Sequence, residues 1–180
     1  MTKPNARQKD QFSGGTASHR GHDPGTGIWL IRRHAATPSL DLDGNNKLEL
    51  QTYVCNKLYE LRTLPQGWDG AEGGPTPQPA THLAYRILDR LSDYRTIFPF
   101  ITPGEDGEVV LEWRAGAELL ELTFPPEERP YVYYKDPSGS LQLSGELGTE
   151  GVGYEVVRKL LAALSRRVWS ENPTWKRLFS

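Results

Sequence analysis

A single cysteine in 180 residues excludes an internal disulfide and any zinc site built from several thiolates. No apolar run approaches the ~18 residues of a membrane helix, and no signal-type apolar stretch follows Met1. The expectation is a soluble, cytoplasmic chain. Apolar residues are scarce at 37%, below the roughly 45–50% of ordinary domains. Eighteen glycines and 14 prolines mark stretches of loop or tail. Catalytic signatures are missing too: there is no Ser-His-Asp order, no Walker phosphate loop and no Gly-x-Gly-x-x-Gly. Gly73-Gly74-Pro75 stands before a helix-like stretch, but without the lysine of a phosphate loop. No cofactor is expected.

What is there amounts to one domain's worth of chain, with its charge unevenly spread. The net charge is −2. Residues 1–27 carry four bases and two acids, and residues 28–100 carry eight of each. Residues 101–153 carry three bases and eleven acids, a charge of −8. Residues 154–180 carry six bases and two acids, a charge of +4. Phosphates need cations, so the acidic middle is a poor nucleic-acid surface and the basic end is the better one.

Residues 1–27 are rich in Gly, Ser, Thr and Pro, with Phe12 their one large apolar residue after Met1. Such a stretch cannot bury enough surface to offset its ordering entropy, and a disordered tail is expected. Residues 28–31 (IWLI) form a short strand or a docking segment, and residues 37–46 read as a turn. Leu50, Val54, Leu58 and Leu61 predict a helix over 47–64, ended by Leu64-Pro65. A second helix starts with Thr76 as N-cap and Pro77 in the first helical position, and Ala80, Leu83, Ala84, Ile87, Leu91 and Tyr94 share one face.

From Ile97 the period becomes two. Val109, Leu111 and Trp113 alternate, as do Leu120, Leu122 and Phe124, with residues 114–118 as the connection. Residues 100–102 add a strand before Asp106-Gly107. A second hairpin joins 131–135 to 141–144 around Asp136-Pro137-Ser138-Gly139. Tyr154, Val157, Leu161, Leu164 and Val168 predict a last helix, stopped by Asn172-Pro173. The expected architecture is α+β: an antiparallel meander of four or five strands packed against about three amphipathic helices. It occupies a single domain over 28–171, followed by a docking tail over 172–180.

Several motifs have residue types that carry chemistry. His19-x-x-His22-Asp23 offers metal-ligating side chains but no fourth ligand, so no metal is expected. Asp41-x-Asp43-Gly44-Asn45 opens like a calcium loop, but Asn46 and Thr52 stand where an EF-hand needs Gly and Glu. Cys55, beside Val54, is read as a small packed apolar residue. Asp69 and Glu72 flank a loop with Trp68, and paired carboxylates can do acid–base work. In the structural alternative Gly67 and Gly70 make a tight turn, Trp68 plugs the core and Asp69 bonds local amides. Trp175, Lys176, Arg177, Leu178 and Phe179 combine large apolar residues with two cations, a composition typical of interface hot spots.

Arg33-His34-Ala35-Ala36-Thr37 resembles the Arg-His-Gly-x-Thr of histidine phosphatases, in which the histidine accepts a phosphoryl group. Here alanine replaces the glycine, and the later histidine, His82, falls in a predicted helix. An ordinary loop is the reading kept. A broader resemblance covers residues 61–147. Leu64-Pro65-Gln66-Gly67-Trp68-Asp69, Thr76-Pro77, Asp106-Gly107 leading to Leu111-Glu112-Trp113, and the LLELT of 119–123 together resemble a widespread group of small uncharacterised bacterial proteins. That group has no assigned activity, so the resemblance implies a fold and no catalytic residue.

The leading expectation is a non-enzymatic protein-interaction module, an accessory subunit or an antitoxin- or immunity-like protein of a bacterial system. It would bind a bacterial protein through Trp175, Lys176, Arg177, Leu178 and Phe179, with Arg166 and Arg167 beside them. The first alternative is a nucleic-acid-associated component of a larger complex, using Arg158, Lys159, Arg166, Arg167, Lys176 and Arg177 on phosphate and Trp175 on a base. The second is an enzyme with its site at Trp68, Asp69 and Glu72, joined by Glu112.

Overall fold

The computed structural model describes residues 40–179. The expected tail over 1–27, the strand at 28–31, the Arg33-His34 motif and His19, His22 and Asp23 lie outside these residues.

Helix α1 spans Leu40–Arg62 and begins seven residues before the expected 47. The Asp-Gly-Asn-Asn stretch that reads as a turn is helical. Asn46 is a weak helix former, but it is buried, and its Nδ2 donates to the carbonyls of Tyr94 at 2.8 Å and Thr96 at 3.1 Å. Tertiary bonds outweigh propensity here. Leu50, Val54, Leu58 and Leu61 form the buried stripe of α1, as their spacing predicts. Cys55 is exposed, which corrects its reading as a packed residue; it points off that stripe.

Helix α2 spans Gln78–Leu91, so Tyr94, expected on its apolar face, falls beyond its end and is exposed. Its N-cap is Pro77, one residue after the expected Thr76, and no side chain caps it. Thr76 instead donates its backbone N–H to the Leu61 carbonyl at 3.0 Å, tying the end of α1 to the start of α2.

The strands are β1 (Phe100–Pro103), β2 (Val109–Ala115), β3 (Glu118–Phe124), β4 (Tyr131–Lys135) and β5 (Leu141–Glu146). They form one antiparallel meander in the order β1-β2-β3-β4-β5. The β2–β3 connection is shorter than the expected five residues. Ala115 pairs with Glu118, so only Gly116 and Ala117 turn. Gly116 has φ 63°, the positive value that a two-residue hairpin of this twist requires. At the β4–β5 turn Gly139 has φ 81°, and its N–H donates to the Asp136 carbonyl at 2.8 Å, as the Asp-Pro-Ser-Gly pattern predicts.

Helix α3 spans Tyr154–Glu171, and a 3-10 turn over Trp175–Phe179 follows it. Period-two alternation sends Ile101, Val109, Leu111, Trp113, Leu120, Leu122, Phe124 and Val132 to one buried sheet face. Helices α2 and α3 pack on β2 and β3 at that face, and α1 packs on β1 and α2. The chain is thus α+β, with three helices against a five-stranded antiparallel meander. No described helix is long and apolar enough to cross a membrane.

Candidate functional site

Two places hold most of the residues singled out by sequence, the loop before α2 and the C-terminal turn; a third, the open face of the sheet, holds Glu112.

The loop from Pro65 to Pro77 is tied by its own backbone. Gly67 N–H donates to the Gly73 carbonyl at 2.6 Å, and Gln66 Nε2 donates to the Glu72 carbonyl at 2.7 Å. Gly67 and Gly70 hold φ of 76° and 81°, which glycine adopts freely. Asp69 Oδ1 accepts from the N–H groups of Ala71 at 2.9 Å and Gly73 at 3.1 Å. Those two amides, Ala71 first, hold the Asp69 carboxyl below its ordinary range. A carboxylate so fixed is a poor proton donor near neutral pH, and its Oδ1 is already engaged. Trp68 is no core plug: it is 39% exposed, with its Nε1 donating to the Gly74 carbonyl at 3.2 Å.

Opposite this loop stands the turn at Asp106-Gly107. A Cβ on Gly107 would lie 2.7 Å from Cδ of Pro77, so the two segments touch closely. Asp106 has φ 52°, rare for a residue with a side chain. Thr76-Pro77 and Asp106-Gly107, far apart in sequence, therefore pack on each other. Between them lies an open cleft of about 520 Å³, whose lining includes Trp68, Asp69, Glu72 and Asp106. Glu112 does not line it. Among the described residues no group of three or more His, Cys, Asp or Glu is placed to hold a metal ion.

The C-terminal turn folds back on the domain. Trp175 is only 1% exposed. It meets Phe98, Trp169 and Phe179 edge to face, with ring centres 5.1, 5.4 and 6.1 Å apart. Phe179 also reaches Tyr53 at 5.4 Å and Phe100 at 5.0 Å. The Trp175 ring is therefore a core side chain in this structure. Lys176 pairs with Glu49 of α1. Arg167 Nη1 lies 2.9 Å from Oε2 of the buried Glu118, whose other oxygen accepts from Tyr134 Oη at 2.9 Å. Arg158 donates to the Arg90 carbonyl at 2.9 Å and pairs with Glu155 at 3.1 Å. Of the basic residues expected on phosphate, Arg158, Arg167 and Lys176 are thus engaged within the domain. Lys159, Arg166 and Arg177 are exposed. Leu178 is 64% exposed. With Phe100, Phe179 and Arg114 it borders a hollow of about 220 Å³ at the β1 end of the sheet.

The third place was not legible in the sequence. The register sets Glu112 directly opposite Glu121 on the sheet face that no described helix covers. Arg114 Nε and Nη2 donate to Glu112 Oε1 and Oε2 at 2.9 and 2.8 Å. Burial, and then the charge of Glu112, push the Glu121 carboxyl up. The signal that finds this pair is the length of the β2–β3 turn, because a two-residue turn at Gly116-Ala117 fixes the register.

No family model, curated protein or solved structure matches the chain.

Proposed function

We propose that this chain is a protein-interaction module, an accessory subunit or an antitoxin- or immunity-like protein that holds a partner instead of turning over a substrate. One observation carries the reading: the described helices cover one face of the sheet only. All three described helices pack on the inner side, and on the outer side the C-terminal turn reaches Phe100 at the β1 edge through Phe179. A solvated sheet face is ordinary when its side chains are polar. This one leaves Phe100 42% and Tyr131 44% exposed and adds Tyr133, Leu119 and Val110. Aromatic residues in such a setting are typical of interface cores.

The C-terminal turn contributes in a different way from a free arm. Leu178 and Phe179 wall the hollow that opens beside Phe100, so the tail extends the surface that Trp175 anchors from below. The fixed Asp69 carboxylate gives an acid–base site little support, and the engaged Arg158, Arg167 and Lys176 do the same for a phosphate-binding face.

The test is photo-crosslinking in the host cell, with benzoylphenylalanine in place of Tyr133 and, as control, in place of Lys159 on α3. One prevalent protein adduct at Tyr133 is expected. The purified adduct protein should bind the wild-type chain in a defined ratio and lose affinity for Tyr131→Ala. Absence of any adduct at Tyr133, or equal yields at both positions, overturns the reading.

A further inference from the structure

We propose that the cleft between the loop before α2 and the Asp106-Gly107 turn binds a linear polyamine, a small organic cation with several ammonium groups on methylene stems. The cleft holds about 520 Å³, room for a ligand larger than a single ion. Every charged side chain in its lining is acidic. Asp69 and Glu72 come from the loop, and Asp106 comes from the turn across from it. Among the described residues no basic side chain pairs with any of the three. Asp69 Oδ1 accepts from two loop amides, which fix the carboxylate in place and leave its charge without a counter-ion.

Thr76 points to a ligand independently of that charge. It lines the cleft and is 3% exposed, yet its hydroxyl has no hydrogen-bond partner. Its backbone N–H is taken by the Leu61 carbonyl, and no side chain caps α2. Buried hydroxyls are nearly always bonded, and an ammonium N–H entering the cleft supplies the donor that this oxygen lacks.

Trp68 adds an aromatic wall. Its indole is 39% exposed and is held by the Nε1 bond to the Gly74 carbonyl. Tryptophan is the best aromatic host for a cation. Pro75, Pro77 and Pro103 line the same cleft and offer apolar surface to methylene stems.

These features select among cations. A divalent metal needs several ligands converging on one point, and among the described residues no group of three His, Cys, Asp or Glu is placed for that. A lone ammonium answers one carboxylate of the three. Acids on both sides of the cleft call for positive charge at more than one place along the ligand, which a polyamine carries. The wider field agrees: residues 101–153 carry eleven acids against three bases, and a cleft of one sign concentrates counter-ions.

The test is isothermal titration calorimetry of the full-length protein with spermidine at constant ionic strength, with N-acetyllysine amide and magnesium chloride as comparison ligands. Saturable binding of one spermidine with a Kd under about 1 mM is expected, at least about tenfold tighter than N-acetyllysine amide. Asp106 has φ 52°, a conformation that asparagine also tolerates, so Asp106→Asn keeps the turn and removes one charge. It should weaken spermidine about threefold. Thr76→Val removes the unpaired hydroxyl at nearly the same shape. It should leave the urea midpoint unchanged or raised and weaken spermidine about fivefold. Absence of saturable binding overturns the inference, as does unchanged affinity in both variants. Magnesium that displaces spermidine on equal terms also overturns it, because that is the mark of a diffuse acidic field. N-acetyllysine amide bound as tightly as spermidine overturns the polyamine in favour of a lysine side chain.

Discussion

Replacing Trp175 by alanine tests whether the C-terminal turn is part of the core. The ring is 1% exposed and has three edge-to-face aromatic neighbours, Phe98, Trp169 and Phe179. Removing roughly 200 Å² of apolar surface at about 25 cal/mol/Å² corresponds to about 5 kcal/mol. That is an upper figure, since a real unfolded chain already hides part of this area. Large-to-small changes of buried aromatics cost about 3–5 kcal/mol. The turn lies beside the open hollow, so its neighbours can settle partly into the space, and the lower end, about 3 kcal/mol, is expected. With a urea slope of about 2 kcal/mol/M, the midpoint falls by about 1.5 M. Leu178→Ala is the control, because Leu178 is mostly exposed and its loss should cost under about 0.5 kcal/mol. The measurement is equilibrium urea unfolding followed by far-UV circular dichroism, with unchanged slope required for both variants. A loss below about 1 kcal/mol for Trp175→Ala at unchanged slope would refute the docked turn.

Two further outcomes follow from local geometry. Burial, reinforced by the bond to Glu118, pushes the Tyr134 phenol up to about 12, and burial with the nearby Glu60 does the same to Tyr53. An unfolded tyrosine titrates at about 10, so the native state binds more protons between the two values. The stabilisation is fully present below about pH 10 and is lost as pH rises through about 12. Urea midpoints measured across that range should fall, and Tyr134→Phe should flatten the fall; equal slopes in both proteins would tell against it. At Gly107, φ is 81° and an added Cβ would sit 2.7 Å from Pro77 Cδ, so Gly107→Ala should cost about 2–3 kcal/mol. Gly116, with φ 63° and open space around it, should cost only about 1 kcal/mol as alanine, and equal losses at the two sites would remove the claim of close packing.

Where periodicity alone decides structure, the sequence was a sufficient guide. The stripe Leu50, Val54, Leu58, Leu61 and the alternation through Val109, Leu111 and Trp113 both report burial directly, because one face of each element meets the core. It failed where a distant partner decides. Asn46 is helical because carbonyls near residue 95 accept from its amide. Thr76 bonds through its backbone to α1 in place of capping α2. Trp68 lies outside the core because its loop closes on itself through Asp69 and Gly73. The composition of the tail stands out in the sequence, but composition does not say which way an aromatic ring turns. The Glu112–Glu121 pairing needed a register, and a five-residue connection in place of the two-residue one hides it.

The aromatic cluster joins rings from opposite ends of the described chain, Tyr53 of α1 and Phe179 of the last turn, across Phe98. On the ribosome these rings emerge in that order. The meander can zip up as it appears, each strand beside the one before. Phe98 and Tyr53, however, stay without their cover until Trp175 and Phe179 have been made. A nascent chain that already holds its sheet thus still presents a greasy seam, and premature termination after α3 leaves that seam open for good, the kind of surface on which chaperones and proteases act.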